Sequence, residues 1–325
     1  MGGRWRGEFA TLEIAPDLVL LRAGDSSWPS PGNVVVVRDG DGAALIDCGF
    51  GTADGLEALA AGLKAIGRTL ESVHTVVCTH PHTDHAGAAA ALAADPARRI
   101  LVPAGARAVL DDARLVAAAV LPDVVRELAP ELAGFDAVGH FRDDCGSVPW
   151  PAGATVAEVR PDEVIRLGAY EWTAVATPGH DSHLMCYWER GRGWLVYSDL
   201  LVTSRTAIPW YAPGGGGTGA YLASLDAVAR LAPVLGISGH GGLLDGAAEV
   251  RASVTATRER IVERSERIAA ALSAGPVSFR ELERCVYPVA VHEVIPWASG
   301  VAAVHLLEAL ESGAARRIGD RFTAS

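Results

Sequence analysis

The chain has 325 residues, of which 50% are hydrophobic and 21% charged, a composition that supports a large core and excludes global disorder. The formal net charge of −11 disfavours nonspecific binding to a phosphate backbone. Five scattered cysteines without a CxxC pair argue against a disulfide scaffold. Neither a signal peptide nor a membrane span is visible in the sequence, so we expect a cytoplasmic protein without membrane contacts.

The first half of the chain predicts strands, turns and helices in alternation. Residues 33–37 form a β-branched run, 39–42 a hairpin turn and 43–47 the returning strand. Apolar residues at helical spacing predict a helix over 55–66, and a buried strand is expected over 73–78. The next predicted elements are a helix over 86–94, two helices within 109–132 that break at Pro122, strands at 164–167, 172–176, 194–197 and 234–237, and a helix over 221–231.

The composition changes after Leu244. Helices are expected over 249–271, 279–286 and 298–312, followed by a strand pair at 316–322. Helices followed by a strand pair are the outline of a winged-helix unit. We therefore expect an α/β catalytic domain over 1–245, with a lid or insertion at 105–150, and a second part over 246–325. This part combines a linking helix with a winged-helix-like domain.

Seven histidines and aspartates come directly after apolar, strand-like runs. They are His80, His82, Asp84, His85, His180, Asp199 and His240. In open α/β sheets, ligands gather beyond the strand ends, so these loops can meet at one edge. Imidazoles and carboxylates that converge at such an edge suit a divalent metal of borderline hardness.

The spacing within the first loop also favours metal binding. In an extended chain, His80 and His82 point the same way and can bind one ion. Asp84 and His85 lie where the chain turns into a helix and can face a second ion. A His-x-His pair alone is a surface turn about as often as it is a metal site. The full His-x-His-x-Asp-His pattern between a buried strand and an alanine-rich helix is far more specific.

At these residues the chain resembles the metallo-β-lactamase superfamily, over residues 15–245. The resemblance implies an αββα sandwich with two divalent metal ions at one edge. It implies that His80, His82 and His180 hold the first ion, that Asp84, His85 and His240 hold the second, and that Asp199 bridges both. All these ligands offer nitrogen or oxygen, so we expect zinc, with manganese or iron permitted. Asp47-Cys48-Gly49 resembles the Asp-x-Gly turn that precedes the motif in many members.

The later part of the chain resembles one subgroup of this superfamily. The Gly-His-Gly turn at 239–241, a long helix and the tail are similar to lactamase-like hydrolases with a C-terminal winged domain. That subgroup includes endoribonucleases, and related proteins include thioesterases and lactonases. The sequence departs from the common pattern at Ser198, where many relatives have glycine, and in the long span between His85 and His180.

These features leave three functions open. The first is a binuclear hydrolase that cleaves an ester, thioester or lactone of a small molecule by attack of a metal-bound hydroxide. In it, Asp84 or Asp199 orients the nucleophile and accepts its proton, with Asp84 expected to be essential. His183 is the second candidate catalytic residue, which contacts the substrate or supports a metal ligand. The alternative is a metal-dependent endoribonuclease or phosphodiesterase of the same fold. The third is an iron oxygenase or electron-transfer member, against which His82 argues, because flavodiiron relatives usually carry an acid there.

The tail and the aromatic residues bear on the choice between these functions. Residues 249–325 contain ten arginines and ten acidic residues. Because these charges cancel, the tail lacks the net positive charge that is typical of a nucleic-acid-binding surface. We expect the tail to form a pocket wall or the interface of a homodimer. Its expected apolar face consists of Val301, Val304, Leu307 and Leu310. Three aromatic residues are candidates for a pocket wall, although such residues more often belong to a core: Trp150, Trp210 and Tyr211.

Overall fold

The computed structural model describes residues 7–24, 30–202, 209–210, 216–287 and 299–325. Tyr211, one of the candidate pocket residues, lies outside these ranges. Within the described ranges, no helix combines the length and the apolar character needed to cross a bilayer.

The first sheet contains seven strands among the described residues. They are β1 (Phe9–Ala15), β2 (Leu18–Ala23), β3 (Val34–Asp39), β4 (Gly42–Ile46), β5 (Val73–Val77), β6 (Arg99–Pro103) and β7 (Val156–Val159). They are hydrogen-bonded in chain order. The pairs from β1 to β4 are antiparallel, and those from β4 to β7 are parallel. The predicted hairpin forms at Asp39 and Gly42, with Gly40 at φ 56°.

The second sheet has six strands in the described part of the chain. They are β8 (Val164–Leu167), β9 (Tyr170–Ala176), β10 (Met185–Glu189), β11 (Trp194–Ser198), β12 (Leu235–Ser238) and β13 (Leu243–Asp245). Their order is β13-β12-β11-β10-β9-β8. Because β10 is antiparallel to both β9 and β11, and β12 is parallel to β11, the strands β9, β11 and β12 end at the same edge.

Helices cover both sheets and complete the sandwich. They are α1 (Ala53–Ala65), α2 (Thr83–Ala86), α3 (Ala89–Leu92), α4 (Ala106–Leu110), α5 (Ala113–Val120), α6 (Asp123–Leu128), α7 (Ala137–Gly139), α8 (Thr218–Leu231), α9 (Ala247–Ala274), α10 (Phe279–Val286) and α11 (Ser299–Glu311). Buried side chains such as Leu20 and Trp172 pack the sheets face to face. Leu59 of α1 lies in the core against the first sheet, and Tyr221 of α8 in the core against the second. The αββα prediction is confirmed.

The prediction of one continuous helix over 86–94 is wrong. The structure has two separate short helices, α2 and α3, in this part of the chain. Long-range backbone hydrogen bonds explain the interruption. The carbonyl of Asp84 accepts from Gly32 at 2.7 Å, and the amide of Ala88 donates to Gly49 at 2.9 Å. The two groups that would close this helical turn are therefore bonded to other segments.

The segment at 105–150, which we expect to be a lid or insertion and call the insertion, lies between β6 and β7 and is mostly helical. It contains α4 to α7, a 3₁₀ turn (Pro130–Gly134) and a π-helical turn (His140–Asp144). The break predicted at Pro122 is present, since α5 ends at Val120 and α6 begins at Asp123. Proline disfavours the helical conformation of the residue before it, which separates the two helices there.

The tail consists of α9, α10, α11 and a small sheet. The sheet contains β14 (Val277–Ser278), β15 (Ala315–Ile318) and β16 (Arg321–Ala324), in the order β14-β16-β15. A capping box between Ser278 and Glu281 starts α10. Residues 299–307 of α11 are buried, and the helix packs against α6, α9 and α10. The winged-helix assignment and the division at residue 245 stay predictions.

Candidate functional site

All seven expected ligands meet at one edge of the sandwich. Four of them follow strand ends: His80 after β5, His180 after β9, Asp199 after β11 and His240 after β12. The other three, His82, Asp84 and His85, lie in the loop after His80 and in α2. Their ligand atoms form three overlapping groups in which all atoms lie within 4.8 Å of one another.

The first group is made of histidines alone. His80, His82 and His180 bring three ring nitrogens together, with His82 Nδ1 3.0 Å from His180 Nε2. His80 is fully buried and His180 nearly so, whereas the side chain of His82 keeps 14% of its surface exposed. This group therefore meets solvent on the His82 side.

The second group adds a carboxylate. Asp84, His85 and His240 lie together, with His240 Nε2 3.2 Å from Asp84 Oδ2 and 3.3 Å from His85 Nε2. His85 is fully buried, while 18% of the Asp84 side chain is exposed. Asp84 thus lies where this group opens to solvent.

Asp199 lies between the two groups. Its Oδ2 is 3.6 Å from His180 Nε2 and 3.5 Å from His240 Nε2. Its Oδ1 is 3.2 Å from His85 Nε2. One carboxylate therefore reaches histidines of both groups, which is the position that a bridging ligand requires.

Asp47 orients one histidine of each group. It accepts a hydrogen bond at 2.9 Å from His85 Nδ1, and others from the amide and hydroxyl of Thr79 at 2.8 Å. Since the Thr79 hydroxyl donates to Asp47, it accepts at 3.0 Å from His80 Nδ1. Both rings then donate from Nδ1, so that Nε2 of each ring is the nitrogen turned towards the site.

Ser198 takes part in the same network. Its hydroxyl lies 2.7 Å from the Thr79 hydroxyl and donates to it. The residue adopts φ 50°, a left-handed conformation that glycine reaches at lower cost. Ser198 thus has a strained backbone conformation and adds a hydrogen bond next to His80.

The charges of the site match a cation. Burial, followed by the neighbouring His180, lowers the pKa of His82 to about 4, and burial lowers the pKa of His80 well below its usual value. Burial alone would raise the pKa of Asp84 and Asp199, but the adjacent His85 and His240 outweigh it and lower both. Burial alone would lower the pKa of His85, but the carboxylates of Asp199, Asp84 and Asp47 outweigh it and raise this pKa, so a metal would have to displace the Nε2 proton of that ring. The neutral rings of His80 and His82 and the ionised carboxylates are already in the forms that bind metals.

One buried atom tests whether a metal fits. His80 Nε2 has no hydrogen-bond partner among the described residues, although it is buried. A buried polar atom without a partner is costly in a folded protein. Because this atom faces His82 and His180, a cation coordinated by the three rings would satisfy it. The donor set therefore fits a divalent ion.

His183 lies beside the site and outside the three ligand groups. Its amide donates to Asp181 Oδ1 at 2.7 Å, and its ring Nδ1 lies 3.2 Å from the same oxygen. This hydrogen bond raises the pKa of His183. The other oxygen of Asp181 is 3.9 Å from His82 Nε2. Sequence reasoning missed Asp181, and its position directly after His180 was the available signal.

The two described aromatic candidates have different surroundings. Trp150 is half-buried on the insertion, where its amide donates to Asp111 and its Nε1 to the carbonyl of Arg107. Trp210 is 5% exposed, and its ring centre lies 6.5 Å from that of His82 and 6.4 Å from that of His180. Of these two residues, only Trp210 is shown next to expected ligands within the described part of the chain.

Comparisons with known proteins agree with this geometry. A family model described as "Metallo-beta-lactamase superfamily" matches residues 27–240. A metallo-beta-lactamase family protein from Thermus thermophilus has a TM-score of 0.76 at 20% identity, covering 96% of this chain and 100% of that one. A beta-lactamase domain protein from Burkholderia ambifaria has a TM-score of 0.75 at 21% identity, covering 97% and 93%. Likeness at these identities shows the fold.

A curated relative matches a shorter part of the chain. An uncharacterized protein from Aquifex aeolicus (strain VF5) is 28% identical over 140 residues, which are 43% of this chain. The match spans 54% of that protein, so the chain covers about half the length of this relative.

Proposed function

Because the chain belongs to the metallo-β-lactamase superfamily, whose members are metal-dependent hydrolases, we propose that it cleaves an ester, thioester or lactone of a small molecule with two divalent ions. The observation that carries this proposal is the overlap of the ligand groups. The central group, His80, His85 and Asp199, shares a histidine with each of the other two. Overlapping groups of this kind support two adjacent ions better than one.

We assign the residues as the resemblance implies. His80, His82 and His180 would hold one ion, Asp84, His85 and His240 would hold the other, and Asp199 would serve both. When bound, divalent cations supply Lewis acidity and lower the pKa of water towards neutrality. Zinc suits this nitrogen and oxygen donor set, and manganese or iron is compatible with it.

The protein's own groups supply the proton transfer. Asp84 is ionised at neutral pH, since His85 and His240 lower its pKa, and its side chain is partly exposed. A carboxylate in this position accepts the proton of the attacking water. His183 is held by Asp181 and supports the His82 side of the site. We propose Asp84 as the catalytic base and His183 as a supporting residue.

A nuclease of the same fold is the alternative, and the tail argues against it. In a helix-turn-helix arrangement, the second helix enters the nucleic-acid groove. Among the described residues, α11 is the helix that follows α10 and would take that place, yet residues 299–307 are buried inside the protein. Glu311, at the end of α11, is exposed and acidic. The winged-helix-like tail is therefore proposed as a structural support for the catalytic domain.

A substrate panel tests the function. The zinc-loaded full chain is assayed at one concentration against acyl-thioesters, lactones, p-nitrophenyl esters and a short RNA. Turnover of an acyl substrate that is lost on chelation, with the RNA left intact, is the expected result. Cleavage of the RNA in the absence of acyl hydrolysis would overturn the proposal in favour of the nuclease.

A further inference from the structure

Trp210 is fixed from three sides beside the first ligand group. Its amide donates to the carbonyl of Gly179 at 2.8 Å, which ties it to the turn that carries His180. Its Nε1 donates at 2.6 Å to the carbonyl of Val120, at the end of α5 in the insertion. The third contact is with Gly300 in the first turn of α11.

The contact with Gly300 leaves no room for a side chain. A Cβ placed on Gly300 would lie 3.1 Å from Cε2, 3.2 Å from Cζ2 and 3.3 Å from Nε1 of Trp210. These distances are shorter than ordinary van der Waals contacts, so the ring would have to shift by a few tenths of an ångström. The glycine therefore lets α11 approach the indole closely and sets where the ring lies.

The same helix also contacts the start of α8. Glu308 of α11 accepts a hydrogen bond at 2.7 Å from the amide of Thr218 and another from its hydroxyl. Trp210 and Thr218 are thus both anchored on one tail helix. One tail helix therefore contacts both Trp210, beside the first ligand group, and Thr218, at the start of α8.

We propose that Trp210 is the specificity-determining wall for an apolar acyl chain and that α11 sets its position through Gly300. The indole stands next to His82 and His180, whereas Asp84 belongs to the second ligand group and Asp199 lies between the two groups. The first group is thus the side of the site with an apolar neighbour. An acyl chain of a substrate would lie there, with its polar leaving group towards Asp84. This proposal rests on the proposed function.

The test measures how binding depends on chain length. The zinc-loaded full chain is assayed with p-nitrophenyl acetate, butyrate and hexanoate, and its affinity for acetate, butyrate and hexanoate ions is measured by calorimetric titration. Each methylene that contacts an apolar wall is worth about fourfold in affinity. For wild type, we expect kcat/KM and affinity to rise by this factor with each added methylene. For Trp210→Ala, both quantities should change little with chain length, and the substitution should change KM more than kcat.

Two further variants separate a specific role from lost folding. Trp210→Phe keeps an apolar ring and should keep most of the chain-length increase. Gly300→Ala leaves the site residues intact, displaces the indole, and should change the profile without changing metal content. Gly219→Ala is the matched control, because Gly219 occupies the same helical position in α8, where a Cβ meets nothing within 4 Å.

The outcomes distinguish this inference from the proposed function. If wild type hydrolyses no ester yet binds longer carboxylates more tightly, and Trp210→Ala abolishes that trend, the inference stands and the proposed function fails. If folded, metal-loaded Trp210→Ala and Gly300→Ala keep the wild-type profile in both assays, Trp210 is a core residue only and the inference is overturned.

Discussion

Asp84 has the most exposed side chain of the seven expected ligands, and it is still in contact with His240. Asp84→Asn keeps the shape of the side chain and removes its charge and its basicity. Because a positioned general base contributes about 10²–10⁴-fold in rate, we expect a loss of that size. His183→Ala removes only a supporting ring and should cost about 10–100-fold.

These two variants are compared by steady-state turnover of the best acyl substrate after metal reloading, with metal content measured in each sample. The proposed role of Asp84 would be refuted by a fully loaded Asp84→Asn protein that turns over at the wild-type rate.

Asp47 controls which nitrogen of two histidines carries the proton. In Asp47→Asn, the amide NH₂ would face the donors of Thr79 or His85, so one of these bonds is lost and the ring tautomer is no longer fixed. Loss of such an orienting carboxylate typically weakens metal binding by about 10–100-fold. We expect a loss of this size in zinc affinity, measured by competition with a chromophoric chelator.

Asp112→Asn is the control for charge, since Asp112 accepts from the Arg114 amide at the start of α5 and lies in the insertion. It should bind zinc as wild type does. Equal zinc affinity of the Asp47 and Asp112 variants would show that the network does not orient the ligands.

The ligands could be predicted from the sequence because they follow strands at fixed short spacings, whereas their supporting residues could not. The roles of Thr79 and Asp181 depend on contacts made after folding.

Among the elements, the sequence pattern did not predict β10. All five residues from Met185 to Glu189 are buried, so this strand lacks the alternation of buried and exposed residues that marks a half-exposed strand. The break between α2 and α3 arises from hydrogen bonds to Gly32 and Gly49, which no local pattern encodes.

At the level of helix packing, His305 of α11 is buried against α9. Its Nδ1 lies 2.9 Å from the Ser265 hydroxyl, and burial, reinforced by the nearby Arg264, lowers its pKa to about 4. A histidine with a depressed pKa in the folded state gives stability that is complete above the unfolded value of about 6.5. This stability is lost as the pH falls towards 4, because the unfolded chain binds the proton more readily.

We therefore expect His305 to make the free energy of unfolding about 2 kcal/mol smaller at about pH 5 than at about pH 7.5. His305→Asn should reduce the pH dependence by that amount, measured by urea unfolding of metal-free protein so that all other groups cancel in the comparison. If the free energy of unfolding of His305→Asn depends on pH as strongly as that of wild type, the lowered pKa of His305 is contradicted.

In the whole molecule, the two sheets and the tail converge on one edge. His80 follows the first sheet, while His180, Asp199 and His240 follow the second, so the expected metal pair connects both halves of the sandwich. A ligand that binds only the folded state stabilises it in proportion to its affinity and concentration. Metal removal should therefore lower the melting temperature of the entire catalytic domain.

The number of ions follows from the same arrangement. Elemental analysis of the zinc-loaded protein should give about two equivalents per chain. His180→Ala removes a ligand of the first group alone and His240→Ala one of the second, so each should retain about one equivalent. His183→Ala should retain about two, because His183 lies outside the ligand groups. A wild-type protein that holds one equivalent after controlled loading, and loses it entirely in both His180→Ala and His240→Ala, would reduce the centre to a single shared ion.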